Sequence, residues 1–388
     1  MNKQVQQKET PKVVKGLEGI YVATTEISLV DGENGRLYYR GYDIRELEAN
    51  GTYEETAHLL WYGKLPNKKE YDTICKRLIN YRFLPDNLLQ MLHLLPQGTV
   101  PITAMRTFIS ALAAWDPWAE DNSRDAELEN AMRLTSGIAS LLAKIHRIRT
   151  RQPMVEPRLD LNHATNFLYM FHGKDPSPEA AKAMDSFLIL YADHGFNAST
   201  FTARVTASTL SDMYSAITAA LGALKGPLHG GAMEAAMRQF QEIGSPENVE
   251  PWFRKAMEEK RRIMGIGHRV YKTFDPRARI LKERARALAE QSSEPQWFEI
   301  AEKLEQLALS HPYFQERRLY PNVDYYGALV VYYLGIPPEF YTIMFALSRV
   351  AGWAAHVIEQ HADNRLIRPR ALYVGPEPRP YVPLEERS

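Results

Sequence analysis

Apolar residues recur every three or four positions along most of this 388-residue chain. Such spacing puts them on one side of a helix, so it predicts amphipathic α-helices with one buried face. The pattern is clear in TYEETAHLLWYG, KEYDTICKRLINYRF, DNLLQMLHLL, AMRTFISALAAW, DAELENAMRLTSGIASLLAKIHRIRTR and PEAAKAMDSFLILYADH. Proline and glycine separate these segments, as is typical of helix ends. The chain is therefore predicted to be mainly α-helical.

One short region has a different pattern. Within residues 20–42, two β-prone runs flank the sequence Asp-Gly-Glu-Asn-Gly at residues 31–35. Turn residues of this kind between two such runs indicate a β-hairpin. Strand signals nearly vanish after it, and no repeat of fixed period points to a helical solenoid. We expect one small antiparallel hairpin in an otherwise helical protein.

The helices change character between about residues 225 and 320, where apolar stripes are narrow and polar faces are broad. The segments on either side, SDMYSAITAALGALKG and VDYYGALVVYYLGIP, are apolar nearly all round and are typical of a larger core. A small helical domain is therefore predicted at 223–322, inserted into a large helical domain made of 1–222 and 323–388. The C-terminal VGPEPRPYVPLEERS carries four prolines and predicts an extended arm.

Composition limits the partners. The chain is 45% apolar and 24% charged, and Lys plus Arg equals Asp plus Glu at 47 each, so no global field favours nucleic acid or a membrane. Cys75 is the only cysteine, which favours a reducing compartment, and nothing around it activates a thiolate. The N-terminus has no apolar signal region, and the longest apolar run, residues 325–336, is too short to span a bilayer. We expect a cytoplasmic protein.

Four histidines lie beside glycine or in glycine-flanked turns: His172, His194, His229 and His268. Considered singly, each is more readily structural than catalytic, and His172 is interpreted as structural because an ordinary loop follows it. The remaining histidines named here are expected on helix faces: His93, His163, His311, His356 and His361. Because none pairs at ligand spacing with carboxylate support, no metal site is predicted.

Three further features suggest chemistry with anions. The segment KRRIMGIGHRVYKTFDPRAR, residues 260–279, is rich in basic side chains, which favours phosphate binding or a solvated helix end. Asp324 stands at the head of an apolar helix, where an N-cap is slightly favoured over a general base. Arg349 lies on an apolar helix and needs an anionic partner, from the protein or from a ligand. RLIRPRALYVG adds Arg365, Arg368 and Arg370, and a small dicarboxylic acid is a suitable common partner for these arginines and Arg349.

Taken together, the motifs carry a family resemblance. GALKGPLHGGAMEAAM, GIGHRVYKTFDPRARIL and NVDYYGALVVYYLGIP, in that order, resemble the three active-site segments of citrate synthases. ADHGFNASTFTARV, the hairpin and the closing SRVAG and RLIRPRALYVG segments are also similar, so the likeness covers about residues 16 to 375. The length resembles that of the shorter bacterial and archaeal forms. The resemblance implies a helical two-domain homodimer that closes over its substrates.

The resemblance also implies a reaction. The family joins acetyl-CoA to oxaloacetate and hydrolyses citryl-CoA to citrate and CoA. By motif position, Asp324 resembles the base that removes a methyl proton, His229 the group that hydrogen-bonds the enol oxygen, and His268 the acid that polarises the oxaloacetate carbonyl. No cofactor is implied, since the CoA thioester is a substrate.

Binding residues are implied in the same way. The oxaloacetate site would include His194, Asn197, Arg277, Arg349 and, from the other subunit, Arg368. The CoA site would include Ile263, Gly265, Ile266, Gly267, Arg269 and Lys272.

Two other functions remain open from the sequence. A 2-methylcitrate synthase would use propionyl-CoA with the same catalytic set, and one methylene changes discrimination by only about 1–3 kcal/mol. Dual activity is a variant of this alternative. A catalytically silent helical interaction protein is more remote, because it predicts the loss of a catalytic residue or of the arginines, and none is lost.

Overall fold

Helices dominate the computed structural model, which describes residues 13–387. The described residues form seventeen α-helices. They are α1 Ile44–Asn50, α2 Tyr53–Tyr62, α3 Lys68–Asn80, α4 Asp86–Leu92, α5 Pro101–Leu112, α6 Arg124–Arg149, α7 His163–His172, α8 Pro178–Tyr191, α9 Ala198–Ala207, α10 Met213–Leu224, α11 Ala232–Ile243, α12 Val249–Glu258, α13 Pro276–Ala289, α14 Gln296–Ser310, α15 Pro312–Glu316, α16 Val323–Tyr333 and α17 Tyr341–Ala362. The predicted mainly α class is confirmed.

The predicted hairpin is present and has one strand more than expected. Strands β1 (Ser28–Asp31), β2 (Arg36–Tyr39) and β3 (Tyr42–Asp43) form an antiparallel sheet in that order. Ser28 pairs with Tyr39 across the first two strands. The turn is closed by the Asp31 carboxylate, which accepts hydrogen bonds from the backbone N–H and the side-chain amide of Asn34. β3 is only two residues long, too short to leave a period-two pattern in the sequence.

Local sequence explains where several helices begin. At the start of α2, the Thr52 hydroxyl accepts from the Glu55 N–H, and the Glu55 carboxylate accepts from the Thr52 N–H. This reciprocal pair satisfies two backbone donors that the first helical turn leaves free. Asn67 and Glu70 repeat the arrangement before α3. These caps fix the register in which each helix presents its apolar face.

The core is built around α17, which packs against α2, α6, α8, α9 and α10. Trp353 of α17 is completely buried, and the Trp61 indole N–H donates to the Ala351 carbonyl at 2.9 Å. Because α17 is covered on most sides, polar groups on it must find partners inside the protein. This arrangement brings Arg349 of α17 next to the end of α8.

The described chain divides into two units. Residues 25–365 form one, and residues 13–24 with 366–387 belong to the other. The proline-rich arm predicted at 374–388 contains no helix or strand over residues 374–383, but Leu384–Glu386 within it form a short 3-10 helix that was not predicted. The predicted small domain at 223–322 is not separated by this division and stays a prediction. Among residues 13–387, no helix has the length and apolar character needed to cross a membrane.

Candidate active site

The glycine loop before His268 is bonded to the start of α16. Gly265 and Gly267 have φ values of +79° and +101°, which side chains with a Cβ rarely adopt. The Gly265 carbonyl accepts from the Asn322 N–H at 2.9 Å, and the Gly267 carbonyl accepts from the Asn322 side-chain amide at 2.8 Å. A Cβ on Gly265 would lie 2.8 Å from a ring carbon of Tyr325. Glycine therefore allows the loop to lie directly against α16.

The His268 ring is held in one tautomer. Its Nδ1 accepts hydrogen bonds from the backbone N–H groups of Val270 at 3.0 Å and Tyr271 at 3.1 Å. Because both partners can only donate, Nδ1 is unprotonated and the neutral ring carries its hydrogen on Nε2. Burial, with help from the Arg277 charge, lowers the His268 pKa to about 4. The ring is thus a neutral donor through Nε2.

The His229 ring is held in the other tautomer. Its Nε2 accepts from the Ser199 N–H at 3.2 Å and lies 2.8 Å from the Ser199 hydroxyl oxygen. The neutral ring therefore carries its hydrogen on Nδ1, which has no hydrogen-bond partner among residues 13–387. Burial and the charge of Arg349 lower the His229 pKa to about 4. Gly230 is required because a Cβ there would lie 2.2 Å from the Leu224 carbonyl oxygen, not because of a positive φ.

Asp324 is not the N-cap of its helix, so that interpretation is wrong. Asn322 caps α16, and its side-chain oxygen accepts from the Asp324 N–H at 2.9 Å. Asp324 lies in the first turn with its carboxylate free for other contacts, and its Oδ1 is 3.3 Å from the Tyr191 hydroxyl. Burial raises its pKa to about 6, against the opposing effects of Arg277 and Tyr191. A buried carboxylate titrating near neutral pH is suited to proton abstraction.

Asp275 joins Arg277 to α16. It caps α13, and its two oxygens accept from the Arg277 guanidinium at 3.0 and 2.8 Å. One of these oxygens also accepts from the Val323 N–H at 3.2 Å. Burial acts to lower the Arg277 pKa, but the charge and hydrogen bonds of Asp275, together with Tyr271 and Tyr39, outweigh it and the pKa is raised. The Nη1 edge of Arg277 has no hydrogen-bond partner in the part of the chain that the structure describes.

Arg349 is buried without a carboxylate. It is 1% exposed, its Nε donates to the Tyr191 carbonyl at 2.6 Å, and its guanidinium lies 4.4 Å from the Phe345 ring centre. No carboxylate of the described residues lies within ion-pair distance of it. Burial lowers its pKa to about 10, so it stays charged at neutral pH. Of the two partners predicted for Arg349, a protein carboxylate at ion-pair distance is not found among residues 25–365, although the charge of the buried Asp193 acts on Arg349 from farther away.

His194 contacts His268 and Tyr271, and the sheet supports the turn that carries it. Its Nε2 is 3.2 Å from the Tyr271 hydroxyl, and its ring centre is 5.3 Å from that of His268. Its pKa is well below the usual range because of burial and the nearby Arg277. The preceding residue, Asp193, accepts from the Ser28 hydroxyl at 2.5 Å and pairs with His356 at 3.1 Å. The sheet therefore fixes the turn that carries His194.

The hairpin turn also supports the loop that follows His268. The Gly32 carbonyl accepts from the Lys272 N–H at 2.9 Å. A Cβ on Gly32 would lie 2.3 Å from the Val270 carbonyl oxygen, and one on Gly35 would lie 2.7 Å from the Phe274 carbonyl oxygen. Both glycines thus permit close backbone packing between two segments that are far apart in the sequence.

The predicted catalytic side chains and three of the predicted oxaloacetate residues, His194, Arg277 and Arg349, are connected by contacts within the unit 25–365. His268 contacts His194, and Tyr271 joins them to Arg277 with a ring-to-guanidinium distance of 6.0 Å. Arg277 reaches α16 through Asp275, as described above. Asp324 contacts Tyr191, whose carbonyl holds Arg349, and Phe345 lies between Arg349 and His229. A series of contacts thus links the three predicted catalytic groups to one another.

Asn197 and the predicted CoA residues have other surroundings. Asn197 caps α9, and its side-chain oxygen lies 2.8 Å from the Ser199 hydroxyl oxygen, which also contacts His229 Nε2. Ile263 and Ile266 are 2% and 5% exposed, and the Ile263 carbonyl accepts from the Ile266 N–H at 3.4 Å. Two other predicted residues, Arg269 and Lys272, are exposed and form no ion pair within the described chain. Arg368 lies in the other unit, and its predicted role stays a prediction.

Sequence reasoning missed several residues that hold the site. These are Tyr191, Asp193, Ser199, Tyr271, Asp275, Asn322 and His356. Asp193 and Asp275 had a signal, because a carboxylate beside a predicted site residue is a natural orienting partner. Tyr191 and Ser199 had none, because both contact residues distant in the sequence. His172 bonds the Leu334 carbonyl at 2.8 Å, which agrees with its structural interpretation. Within residues 13–387, no group of three or more His, Cys, Asp or Glu side chains could hold a metal ion.

The fold is helical, and the cluster contains a buried carboxylate, two neutral histidines and a buried arginine. A family model described as "Citrate synthase, C-terminal domain" matches residues 16–370, and the chain belongs to the citrate synthase family. It is 45% identical to Citrate synthase 2 of Bacillus subtilis, with 96% of this chain and 99% of that protein covered. These likenesses confirm the family indicated by the motifs.

Solved structures agree. The crystal structure of citrate synthase from Pyrobaculum aerophilum matches with a TM-score of 0.92 and 43% identity, covering 100% of both chains. The ternary complex of citrate synthase from Thermoplasma acidophilum with carboxymethyl coenzyme A and oxaloacetate matches with a TM-score of 0.91 and 40% identity, covering 97% of this chain and 100% of that one. The predicted helical fold of this family is therefore confirmed.

Proposed function

We propose that this chain condenses acetyl-CoA with oxaloacetate and hydrolyses the resulting citryl-CoA to citrate and CoA. The observation that carries the proposal is Arg349, a buried cation without a carboxylate partner among residues 25–365, in one cluster with His268 and Asp324. Oxaloacetate supplies the missing carboxylate. The Thermoplasma acidophilum relative, whose complex holds oxaloacetate and a CoA analogue, supports this substrate pair.

In this proposal three groups move or hold protons. Asp324 takes a proton from the methyl carbon of acetyl-CoA, and the Nδ1–H of His229 donates to the thioester oxygen as the enol forms. The new carbon nucleophile attacks the carbonyl carbon of oxaloacetate, whose oxygen accepts from the Nε2–H of His268. The methyl group is a very weak acid, so base and donor must act together. Water then cleaves the thioester of citryl-CoA.

Anion binding uses the remaining predicted groups. Arg349, the free edge of Arg277 and His194 bind the oxaloacetate carboxylates, and Arg368 contributes from the partner subunit of a homodimer. The backbone of the Gly265–Gly267 loop, with Arg269 and Lys272, binds CoA. The small domain at 223–322 closes over both substrates and excludes water while the enol forms. No metal or cofactor takes part.

A thiol-release assay tests the proposal. We expect CoA to appear when the protein is given acetyl-CoA and oxaloacetate, with and without a metal chelator, and citrate to accumulate in equal amount. Asp324→Asn should remove turnover while oxaloacetate still binds, because the carboxylate is needed for proton abstraction and not for anion binding. Absence of CoA release with either acetyl-CoA or propionyl-CoA would contradict an enzymatic role. A higher kcat/KM with propionyl-CoA would assign the protein to 2-methylcitrate synthesis instead.

A further inference from the structure

The Tyr191 hydroxyl contacts the carboxylate of Asp324. Tyr191 is the last residue of α8, and its hydroxyl donates to the Val323 carbonyl at 2.9 Å while lying 3.3 Å from Asp324 Oδ1. Its single hydrogen is thus shared between two acceptors on the first turn of α16. The other Asp324 oxygen, Oδ2, has no hydrogen-bond partner among residues 13–387. The contact therefore engages one oxygen and leaves the other available.

Gly327 makes room for this hydroxyl. It lies one turn after Asp324 in α16, and a Cβ at this position would be 2.3 Å from the Tyr191 hydroxyl oxygen. The next two Tyr191 atoms would be 3.3 and 3.6 Å away, so the hydroxyl alone causes the severe overlap. Glycine destabilises a helix interior. Its presence in α16 is explained by the space that the Tyr191 hydroxyl needs.

The Tyr191 side chain is held on several sides. Its ring is stacked on Phe187 with centres 4.3 Å apart and meets Phe345 edge-on at 5.3 Å. Its own carbonyl accepts from Arg349 Nε at 2.6 Å. A fully buried ring with these contacts has little freedom to rotate. The hydroxyl is thus a fixed donor beside a carboxylate that would otherwise turn freely.

A fixed donor has a definite electrostatic effect. Burial raises the pKa of Asp324 to about 6, and the Arg277 charge and the Tyr191 hydrogen bond act in the opposite direction. A hydrogen bond or a positive charge beside the ionised carboxylate favours the ionised form. Tyr191 and Arg277 therefore limit the rise in the Asp324 pKa that burial causes. The titratable or charged groups that act on Asp324 are Tyr191 from α8, Asp275 and Arg277 at the start of α13, and Arg349 from α17.

We propose that Tyr191 is the positioning residue for Asp324: its hydroxyl holds Oδ1, directs Oδ2 toward the acyl substrate and favours the ionised carboxylate, in a space that Gly327 provides. The part that concerns the substrate rests on the proposed function. A purely structural tyrosine would support α16 through the Val323 carbonyl and leave the titration of Asp324 unchanged.

Tyr191→Phe tests the proposal in turnover. The acid limb of the pH profile of kcat should move to higher pH by about one unit, because the ionised carboxylate loses a donor. Above that limb kcat should remain about tenfold lower, because the carboxylate is less well oriented, while KM for oxaloacetate is unchanged. Tyr214→Phe is the matched control: Tyr214 is also buried, and its hydroxyl donates to a carboxylate, Asp116, at 2.5 Å. An acid limb that stays in place in Tyr191→Phe would overturn the proposal.

A second measurement needs no turnover. When the pKa of a carboxylate is higher in the folded protein than in the unfolded chain, the free energy of unfolding falls as pH rises from the lower of these two pKa values to the higher. The difference in unfolding free energy between the protein and Asp324→Asn should therefore fall between about pH 4 and 6. In a Tyr191→Phe background the fall should continue to about one unit higher. Identical curves would count against Tyr191 even if the protein proved to catalyse a different reaction, so the two proposals can fail separately.

Gly327→Ala tests the space around the hydroxyl. The new methyl group should displace the Tyr191 hydroxyl, lower the melting temperature and reduce kcat. Adding Tyr191→Phe removes the atom 2.3 Å away, so the double variant should melt at a higher temperature than Gly327→Ala alone. A double variant that melts no higher would show that the glycine serves another purpose, and would contradict this part of the proposal.

Discussion

At the scale of single residues, the site combines neutral histidines with unneutralised arginine charge. The side-chain types could be predicted from the sequence, but their hydrogen positions could not. Backbone N–H groups two and three residues downstream fix the proton of His268 on Nε2, while Ser199, thirty residues upstream, fixes that of His229 on Nδ1. The sequence could not show whether Asn322 or Asp324 caps α16. A shift of two residues in the start of the helix changes Asp324 from a cap into a free carboxylate.

Arg349 leads to a prediction about binding. Oxaloacetate at about 100 times its Kd should stabilise the protein by about 2.7 kcal/mol, and most of this gain should vanish in Arg349→Gln, because the variant lacks the charge that pairs with a carboxylate. Thermal unfolding with and without oxaloacetate measures it. Arg82→Gln is the control, since Arg82 is equally buried and also donates to a backbone carbonyl, that of Arg158. Equal gains in both variants would contradict the prediction.

Asp324 leads to a prediction about pH. Its pKa of about 6 lies above those of His229 and His268, which are about 4. As pH falls through about 6 the carboxylate takes up a proton and can no longer act as a base, whereas both rings are still neutral. The logarithm of kcat/KM should therefore decline with a slope of one between about pH 6 and pH 5. A slope of two in a pH–rate profile would mean that a histidine titrates in the same range.

At the scale of elements, helical periodicity predicted the segments of α2 to α6, α8, α10 and α16, because a buried face leaves a local pattern. Contacts between loops left no such pattern. The bonds from Gly265 and Gly267 to Asn322, and the packing of Gly32 on Val270, join positions separated by tens to hundreds of residues. Glycines in the sequence suggested tight approach, but they did not identify the neighbour.

The junction between the glycine loop and α16 can be tested with two glycines of the same conformation. Gly265 and Gly244 have φ values of +79° and +78°, but a Cβ would clash only at Gly265, since the nearest atom to Gly244 is 3.8 Å away. Gly244→Ala should cost about 1–2 kcal/mol of stability for the backbone conformation alone. Gly265→Ala should cost at least about 1 kcal/mol more from overpacking and should also reduce kcat. If chemical denaturation shows similar losses of unfolding free energy in the two variants, neighbouring atoms must move to relieve the clash at Gly265, which would contradict the prediction.

At the scale of the whole molecule, the sequence predicted the fold class and the family, which depend on patterns spread over the chain. The division into domains and the assembly of subunits depend on surfaces that periodicity does not distinguish. The small domain at 223–322 and the contribution of Arg368 from a partner subunit therefore stay predictions.

Mixed dimers test the contribution of Arg368. Arg368→Gln and Asp324→Asn should each be nearly inactive alone. If Arg368 reaches the partner's site, mixing and refolding the two in equal amounts should restore about a quarter of full activity, because half of the dimers would be mixed and each would hold one intact site. Thiol release measures it, and the mass in solution should be twice that of one chain. No recovery in confirmed mixed dimers would contradict a shared site.

The packing of the hairpin turn on the loop after His268 constrains the order in which the protein can be made. Gly32 and Lys272 are about 240 residues apart, so at a synthesis rate of about 5–20 residues per second the turn exists for roughly 10 to 50 s before its partner loop is translated. During that time Gly32 and Gly35 of the turn have no partner loop to pack against. The loop after His268 can therefore meet the hairpin turn only once α1 to α12 have been synthesised, whereas α17, around which the core is built, is synthesised later still.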